Sequence, residues 1–292
     1  MFEFFASIFG YLLNFLYELI NNYGISIILF TIIIKLLLIP FSIKQQKTLQ
    51  KSNKIQEKMK VIQFKYKNDP EKMNQEMMNL YKDEKMSPFS GCLTSILQLI
   101  LILSIFFMVK QPLTYMKKIP VESLNNYVEQ LQEEGKTLSN VYPEVDIIRE
   151  SNWVIEKNPD DENAKKTSID MNFLGLDLSL VPQQNLNDYR VYVIPILYII
   201  SSFISMRITT SMQNKKKDEK PTESTDLTVK EEKNEVDTIM QTNKMMSWMI
   251  PIMSISIALV APLGLALYWL INNVLMIVER LALNKFLKPE EE

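Results

Sequence analysis

A single lysine, Lys35, stands inside the apolar run YGISIILFTIIIKLLLIPFSI at residues 23 to 43 and is the only charge in a stretch of bilayer-spanning length. A lysine at the centre of a spanning helix costs roughly 2.5 to 3.5 kcal/mol on insertion scales, so this group should face protein or trapped water rather than lipid. An ammonium held there could receive an anion. The alternative is snorkelling: Phe41 lies six residues on, about 9 Å along a helix, and a lysine stem covers much of that distance. Other polar groups within apolar runs are Thr31, Thr94, Gln98, Ser201, Ser202, Ser205, Asn272 and Asn273. Facing one another they would line a wet cavity, while each could equally bond a neighbouring helix. The sequence has no histidine, one cysteine (Cys92), no glycine-rich nucleotide loop and no cluster of metal ligands. His-based catalysis, the usual zinc sites and an internal disulfide are therefore excluded, and no catalytic residue, metal or cofactor is assigned. Acids of the kind that serve proton-coupled pumps are not expected within the spans.

The elements that must position these groups follow from hydropathy and charge. Residues 1 to 20 carry Glu3, Ser7, Gly10, Asn14 and Glu18 as a polar stripe on an apolar helix, which suits an external interfacial helix over 1–22; a spanning helix is the alternative. No basic residue precedes Lys35, so a cleaved signal is not expected. After the first span come residues 44–88, with eleven lysines against six acids, a cytoplasmic segment by the positive-inside rule. Within it Ile55, Met59, Ile62 and Tyr66, then Met73, Met77, Leu80 and Tyr81, recur at helical spacing. A turn at Lys67-Asn68, Asp69 as N-cap and Pro70 at the first helical position make the pair a helical hairpin. Its apolar stripes serve to pack one helix on the other, leaving Lys51, Lys54, Lys58, Lys60, Lys65 and Lys72 for an anionic partner such as ribosomal RNA or lipid headgroups.

A second span is expected at 89–109 and an external segment at 110–189, with fourteen acids against eight bases. In that segment Ser123 to Glu134 suits a short helix, Asn158 to Lys166 a loop, and Phe173 to Val181 is apolar enough to touch the membrane surface. The third span is 190–208, followed by a flexible cytoplasmic linker at 209–243. Trp248 to Val278 is too long for one crossing and contains Ala261-Pro262-Leu263-Gly264, so it divides into spans at 244–261 and 264–283, with a cytoplasmic tail at 284–292. The fold class is an all-α polytopic membrane protein of five spans, N-terminus outside and C-terminus in the cytoplasm.

The segments YGISIILFTIIIKLLLIPFSIKQQK, FSGCLTSILQL and APLGLALYWLINNVLMIVERL, in this order, resemble the YidC/Oxa/Alb membrane protein insertases over residues 10–111 and 170–285. The resemblance implies a groove within the bilayer, open to cytoplasm and lipid and closed to the outside. There a basic residue receives the polar N-terminal part of an incoming hydrophobic segment, which then passes into lipid without nucleotide hydrolysis. Lys35 matches the basic position, Thr31 a polar position one turn earlier, and Tyr268 and Trp269 an aromatic pair. Gln98 and Ser205 complete the expected groove, Ser205 standing where many relatives have glutamine. Lysine replaces the family's usual arginine, and Thr94 the proline of the commoner GCLP. The implied partners are nascent membrane protein segments, membrane lipids, the ribosome and the Sec translocon, and the implied location is the plasma membrane of a bacterium of Gram-positive type. The rival reading is a small anion transporter or channel using Lys35 as its binding cation.

Overall fold

The computed structural model describes residues 2–84, 90–218 and 256–286. Helix α1 (Phe2–Ile20) ends at Asn21, whose positive φ of 53° is a conformation asparagine tolerates better than most residues. Asn22 then caps α2 (Tyr23–Lys65) by accepting a 3.0 Å hydrogen bond from the Ile25 N–H. Two asparagines thus close one helix and open the next. Helix α2 has 43 residues, about 64 Å, more than twice the thickness of a bilayer core. No break occurs at residue 44; the first span runs on as the first helix of the basic segment, with Pro40 inside it. At its end Asp69 caps α3 (Pro70–Asp83), accepting from the Lys72 N–H at 3.0 Å, with Pro70 in the first turn. Helix α3 returns along α2: Lys58 pairs with Glu84, and the Tyr81 hydroxyl donates to Met59 Sδ at 3.4 Å.

Helix α4 (Ser90–Lys110) leads into a segment of short elements: α5 (Pro112–Tyr115), α6 (Val121–Glu133), α7 (Pro143–Arg149), α8 (Ser151–Lys157) and α9 (Glu162–Lys165). The helix expected from Ser123 is therefore present, while the loop expected at Asn158 to Lys166 contains the single turn α9. Strands β1 (Asn172–Phe173) and β2 (Leu176–Asp177) pair antiparallel across Leu174 and Gly175, both with positive φ. Helix α10 (Val193–Asp218) follows, and α11 (Leu263–Phe286) is the last described element. Among the described residues four stretches have the length and composition to cross a membrane: Phe2–Ile20, Tyr23–Thr48, Tyr189–Ile208 and Leu263–Leu283; α4 adds a shorter apolar helix at Leu99–Lys110. The span expected at 244–261 lies largely outside the described residues, as does most of the linker at 209–243. The chain is an all-α polytopic membrane protein.

One end of the bundle is capped. The Tyr23 N–H, first in α2, donates to the Asp170 carbonyl at 3.0 Å, and the Leu263 and Gly264 N–H groups, first in α11, donate to the Leu180 and Leu178 carbonyls at 2.9 and 2.8 Å. Phe173 lies on Gly24, where any Cβ would stand 2.6 Å from its ring. Within the stretch 173–181, Leu178 and Val181 are buried against protein while Leu174 is exposed. Helix α1 joins the same cap through its polar stripe. Lys118 donates to the Ser7 hydroxyl at 2.7 Å, Lys117 pairs with Glu18 at 2.5 Å, and Gly10 is so close to α5 that a Cβ would meet the Tyr115 carbonyl oxygen at 1.9 Å. Its exposed face is instead apolar: Phe4, Ile8, Tyr11, Phe15 and Leu19.

Packing loosens away from this cap. In α2 the described buried residues between Tyr23 and the middle of the helix end at Thr31, and in α11 the unbroken buried run ends at Tyr268. In α4, Ser104 to Val109 include the buried positions, while Ile96, Leu97 and Leu99 are exposed. The core is thus concentrated at the capped end.

The Glu144 carboxylate ties α7 to the start of α5, accepting from the Leu113 and Thr114 N–H groups at 2.8 and 3.0 Å and from the Thr114 hydroxyl at 2.6 Å. Burial pushes this carboxyl above its ordinary value of 4.5, against the pull of those donors and of Lys110. A carboxyl raised in the fold adds stability that is complete below its unfolded value and lost as pH rises through its folded one. Glu144→Ala should cost about 1 to 3 kcal/mol per stranded donor in thermal or denaturant unfolding, whereas Glu144→Gln, which can still accept, should cost less and flatten the acid-side pH dependence. Gly10→Ala should push α1 off α5, and hydrogen exchange at residues 115 to 118 should rise accordingly.

Candidate functional site

Counting helix rise from the capped end gives the depth of each polar group. Thr31 in α2 and Ser201 in α10 lie about 12 Å in, and Asn273 in α11 about 15 Å. Lys35, Ser205 and the backbone of Gln98 lie about 18 Å in, and Glu279 about 24 Å. Four helices therefore contribute polar residues to one layer roughly 12 Å deep. The side chain of Gln98 lies outside the described residues, as do those of Lys54 and Lys60.

Within this layer the structure brings together two sets of groups. The Asn273 amide donates to Ser201 Oγ at 3.0 Å and Ser202 Oγ at 3.1 Å, and the Ser201 hydroxyl donates in turn to the Tyr198 carbonyl at 2.7 Å. This chain joins α10 to α11 and satisfies groups that hydrocarbon could not. The second set joins α2 to α11: Lys35 Nζ lies 3.4 Å from Glu279 Oε2, with 25% and 17% of the two side chains exposed. The lysine backbone sits about 6 Å nearer the cap than that of its partner, and the ammonium ends on a carboxylate.

Glu279 corrects the expectation that the spans hold no acid, for it lies inside the Leu263–Leu283 stretch. The sequence signal was the Glu279-Arg280 pair near the end of the last apolar run, which reads as the flank of a span. Its meaning emerges only when the depths on α2 and α11 are compared. Among the other expected groove residues, Thr31 is 3% exposed and its hydroxyl donates to the Ile27 carbonyl of its own helix at 2.6 Å, so its proton is committed while its oxygen can still accept. Ser205 is buried. Tyr268 belongs to the core near the cap, and Trp269 is half-buried with its ring 6.0 Å from that of Tyr198. The aromatic pair therefore divides, one ring to packing and the other to the layer's edge. Of the basic-segment residues, Lys51, Lys58, Lys65 and Lys72 are exposed, and Lys65 and Lys72 both lie over the Tyr66 ring at 5.4 and 5.5 Å.

Comparison with known proteins bears on this arrangement. The family model described as 60Kd inner membrane protein matches residues 15–291. The "Membrane protein insertase YidC" of Syntrophobacter fumaroxidans is 30% identical over 284 residues, covering 97% of this chain and 38% of that protein. The protein of the same name from Caldanaerobacter subterraneus subsp. tengcongensis is 41% identical over 105 residues, covering 36% of this chain and 51% of that protein. That of Buchnera aphidicola subsp. Baizongia pistaciae is 43% identical over 97 residues, covering 33% and 18%. The chain spans about half the length of these curated relatives, or less. With the family model running through nearly all of the polar layer and its supporting helices, the chain belongs to the 60Kd inner membrane protein family, that of the YidC/Oxa/Alb proteins.

Proposed function

We propose that this protein is a membrane insertase that receives hydrophobic segments of nascent proteins in a polar intramembrane groove and releases them into the bilayer. The observation that carries the reading is the cation-bearing layer in a bundle packed tightly at one end and loosely at the other. A segment entering a bilayer must drag its polar flanks past hydrocarbon at several kcal/mol for each unsatisfied group. A layer of hydroxyls, amides and a cation half-way across shortens that path, and acidic flanks gain Coulomb energy strengthened by the lower dielectric there. Release follows from partition of the apolar segment into lipid, so no nucleotide chemistry or catalytic step is needed.

In this reading the cap of residues 111 to 192 faces outward, the N-terminus is external, and the loosely packed end and the α2–α3 hairpin face the cytoplasm. The excess of lysine in the hairpin and of acid in the capping segment supports that orientation. Five spans result, at 23–43, 89–109, 190–208, 244–261 and 264–283, and α1 lies in the outer interface. Its polar stripe meets the cap at Ser7, Gly10 and Glu18, about 16 Å of helix, while Phe4, Ile8, Tyr11, Phe15 and Leu19 are left for lipid. The ribosome and the Sec translocon are partners for the hairpin and the lateral helices. An anion channel is the weaker reading, because its path would have to continue through the densely packed capped end.

The test uses reconstituted vesicles and two short single-span substrates differing only in an acidic or neutral N-terminal tail. Lys35→Arg should keep the wild-type ratio of acidic to neutral insertion. Lys35→Leu should lower it about threefold or more, the scale of a partly screened ion pair; equal ratios for Leu and Arg would remove the cation from the mechanism. The ratio is the readout because Leu also strands Glu279. Deleting residues 50–84 should weaken insertion of ribosome-bound substrates while leaving the spans folded, and full activity after deletion would reduce the hairpin to padding.

A further inference from the structure

Lys35 is not a free cation at rest; the carboxylate of Glu279 already occupies it. Both groups are partly accessible, so neither is locked away. The carboxylate approaches from the side away from the cap, from which an entering acidic flank would come in the proposed reading. Arg280 follows Glu279 in α11, so a cation stands one residue along the chain from the carboxylate. With 17% of its side chain exposed, the displaced carboxylate also reaches solvent, which lowers the cost of leaving it without Lys35.

The geometry points to Glu279 as the residue that sets charge specificity: a resident counter-ion that an acidic tail must exchange for, rather than add to, at Lys35. The inference rests on the insertase reading and deepens it. Capture becomes competition between two carboxylates for one ammonium, and neutral tails, which do not compete, leave the pair closed. A tail whose acid reaches Lys35 opens the pair and frees the space between α2 and α11 at this level. Discrimination between tails thus depends on a difference of two similar ion pairs, which keeps binding weak enough for release.

The experiment measures the ratio of acidic-tail to neutral-tail insertion in wild-type, Glu279→Gln and Glu279→Asp proteins in vesicles. Glu279→Gln should raise the ratio about threefold, as removal of one partly screened competitor predicts, while Glu279→Asp should stay near wild type. The same comparison in a Lys35→Arg background keeps the cation charged without its partner, and the ratio should rise there too. A ratio unchanged or lowered by Gln in both backgrounds overturns the proposal. Should the Gln variants fail to accumulate, the wild-type protein supplies the answer. Zero-length carbodiimide coupling should join Lys35 to Glu279 in the resting protein, read by mass spectrometry. A stalled acidic-tail substrate should lower that yield, and a stalled neutral-tail substrate should leave it unchanged. No resting coupling, or equal coupling with both tails, also overturns it. These outcomes differ from a failure of the groove cation itself, which shows as a ratio insensitive to Lys35→Leu.

Discussion

A helix that begins inside or beside hydrocarbon leaves its first N–H groups without partners, and no water is there to take them. In this protein the first N–H groups of α2 and α11 are met by carbonyls of residues 170 to 180, themselves folded into a two-stranded turn. The same stretch reaches α1 as well, for the Asp170 N–H donates to the Tyr17 hydroxyl at 2.8 Å. Three long helices are thereby fixed in height by the backbone of one short segment. Depth in the bundle becomes a defined quantity, and residues as far apart as Lys35 and Glu279 meet because their helices start from one level. Where the fixing ends, around Thr31 and Tyr268, the packing thins and the polar layer begins.

This division of labour separates two demands that conflict in a membrane protein. Rigid positioning calls for dense apolar contacts, whereas a site for passing chains needs polar groups and room. Here Phe30, Met108, Leu113, Met116 and Leu263 fill the capped end, and the hydroxyl and amide groups of α10 and α11 lie beyond it. The polar groups are paired mostly with each other, which spares the bundle the cost of orphaned donors.

Much of this was legible in the sequence, and what was not has physical reasons. The apolar runs announce α2, α10 and α11, and the Asp69-Pro70 signal places the start of α3 to the residue. The continuity of α2 was hidden because composition changes sharply at Lys44 while nothing between there and Tyr66 stops a helix. The short helices of the capping segment are four to seven residues long in α7, α8 and α9, too brief to show a period, and they depend on tertiary bonds such as those of Glu144. The role of the α1 stripe was visible as polarity but not as direction: its polar groups face protein, and its apolar groups are the exposed ones. Glu279 escaped because its partner is 244 residues away, a separation no local pattern reveals.

The unbroken length of α2 has a mechanical meaning. Pro40 removes one backbone hydrogen bond and is the softest point of the rod. From it the arm toward Lys65 measures about 38 Å, and the arm toward Lys35 about 8 Å on the opposite side. A joint at the softest point uncouples the two arms, so a bend of about 8° carries the basic tip through about 5 Å while the lysine backbone stays where the cap sets it. Movement of the basic tip is thus taken up at Pro40 before it reaches the charged layer, and the ion pair keeps the level that the cap gives it.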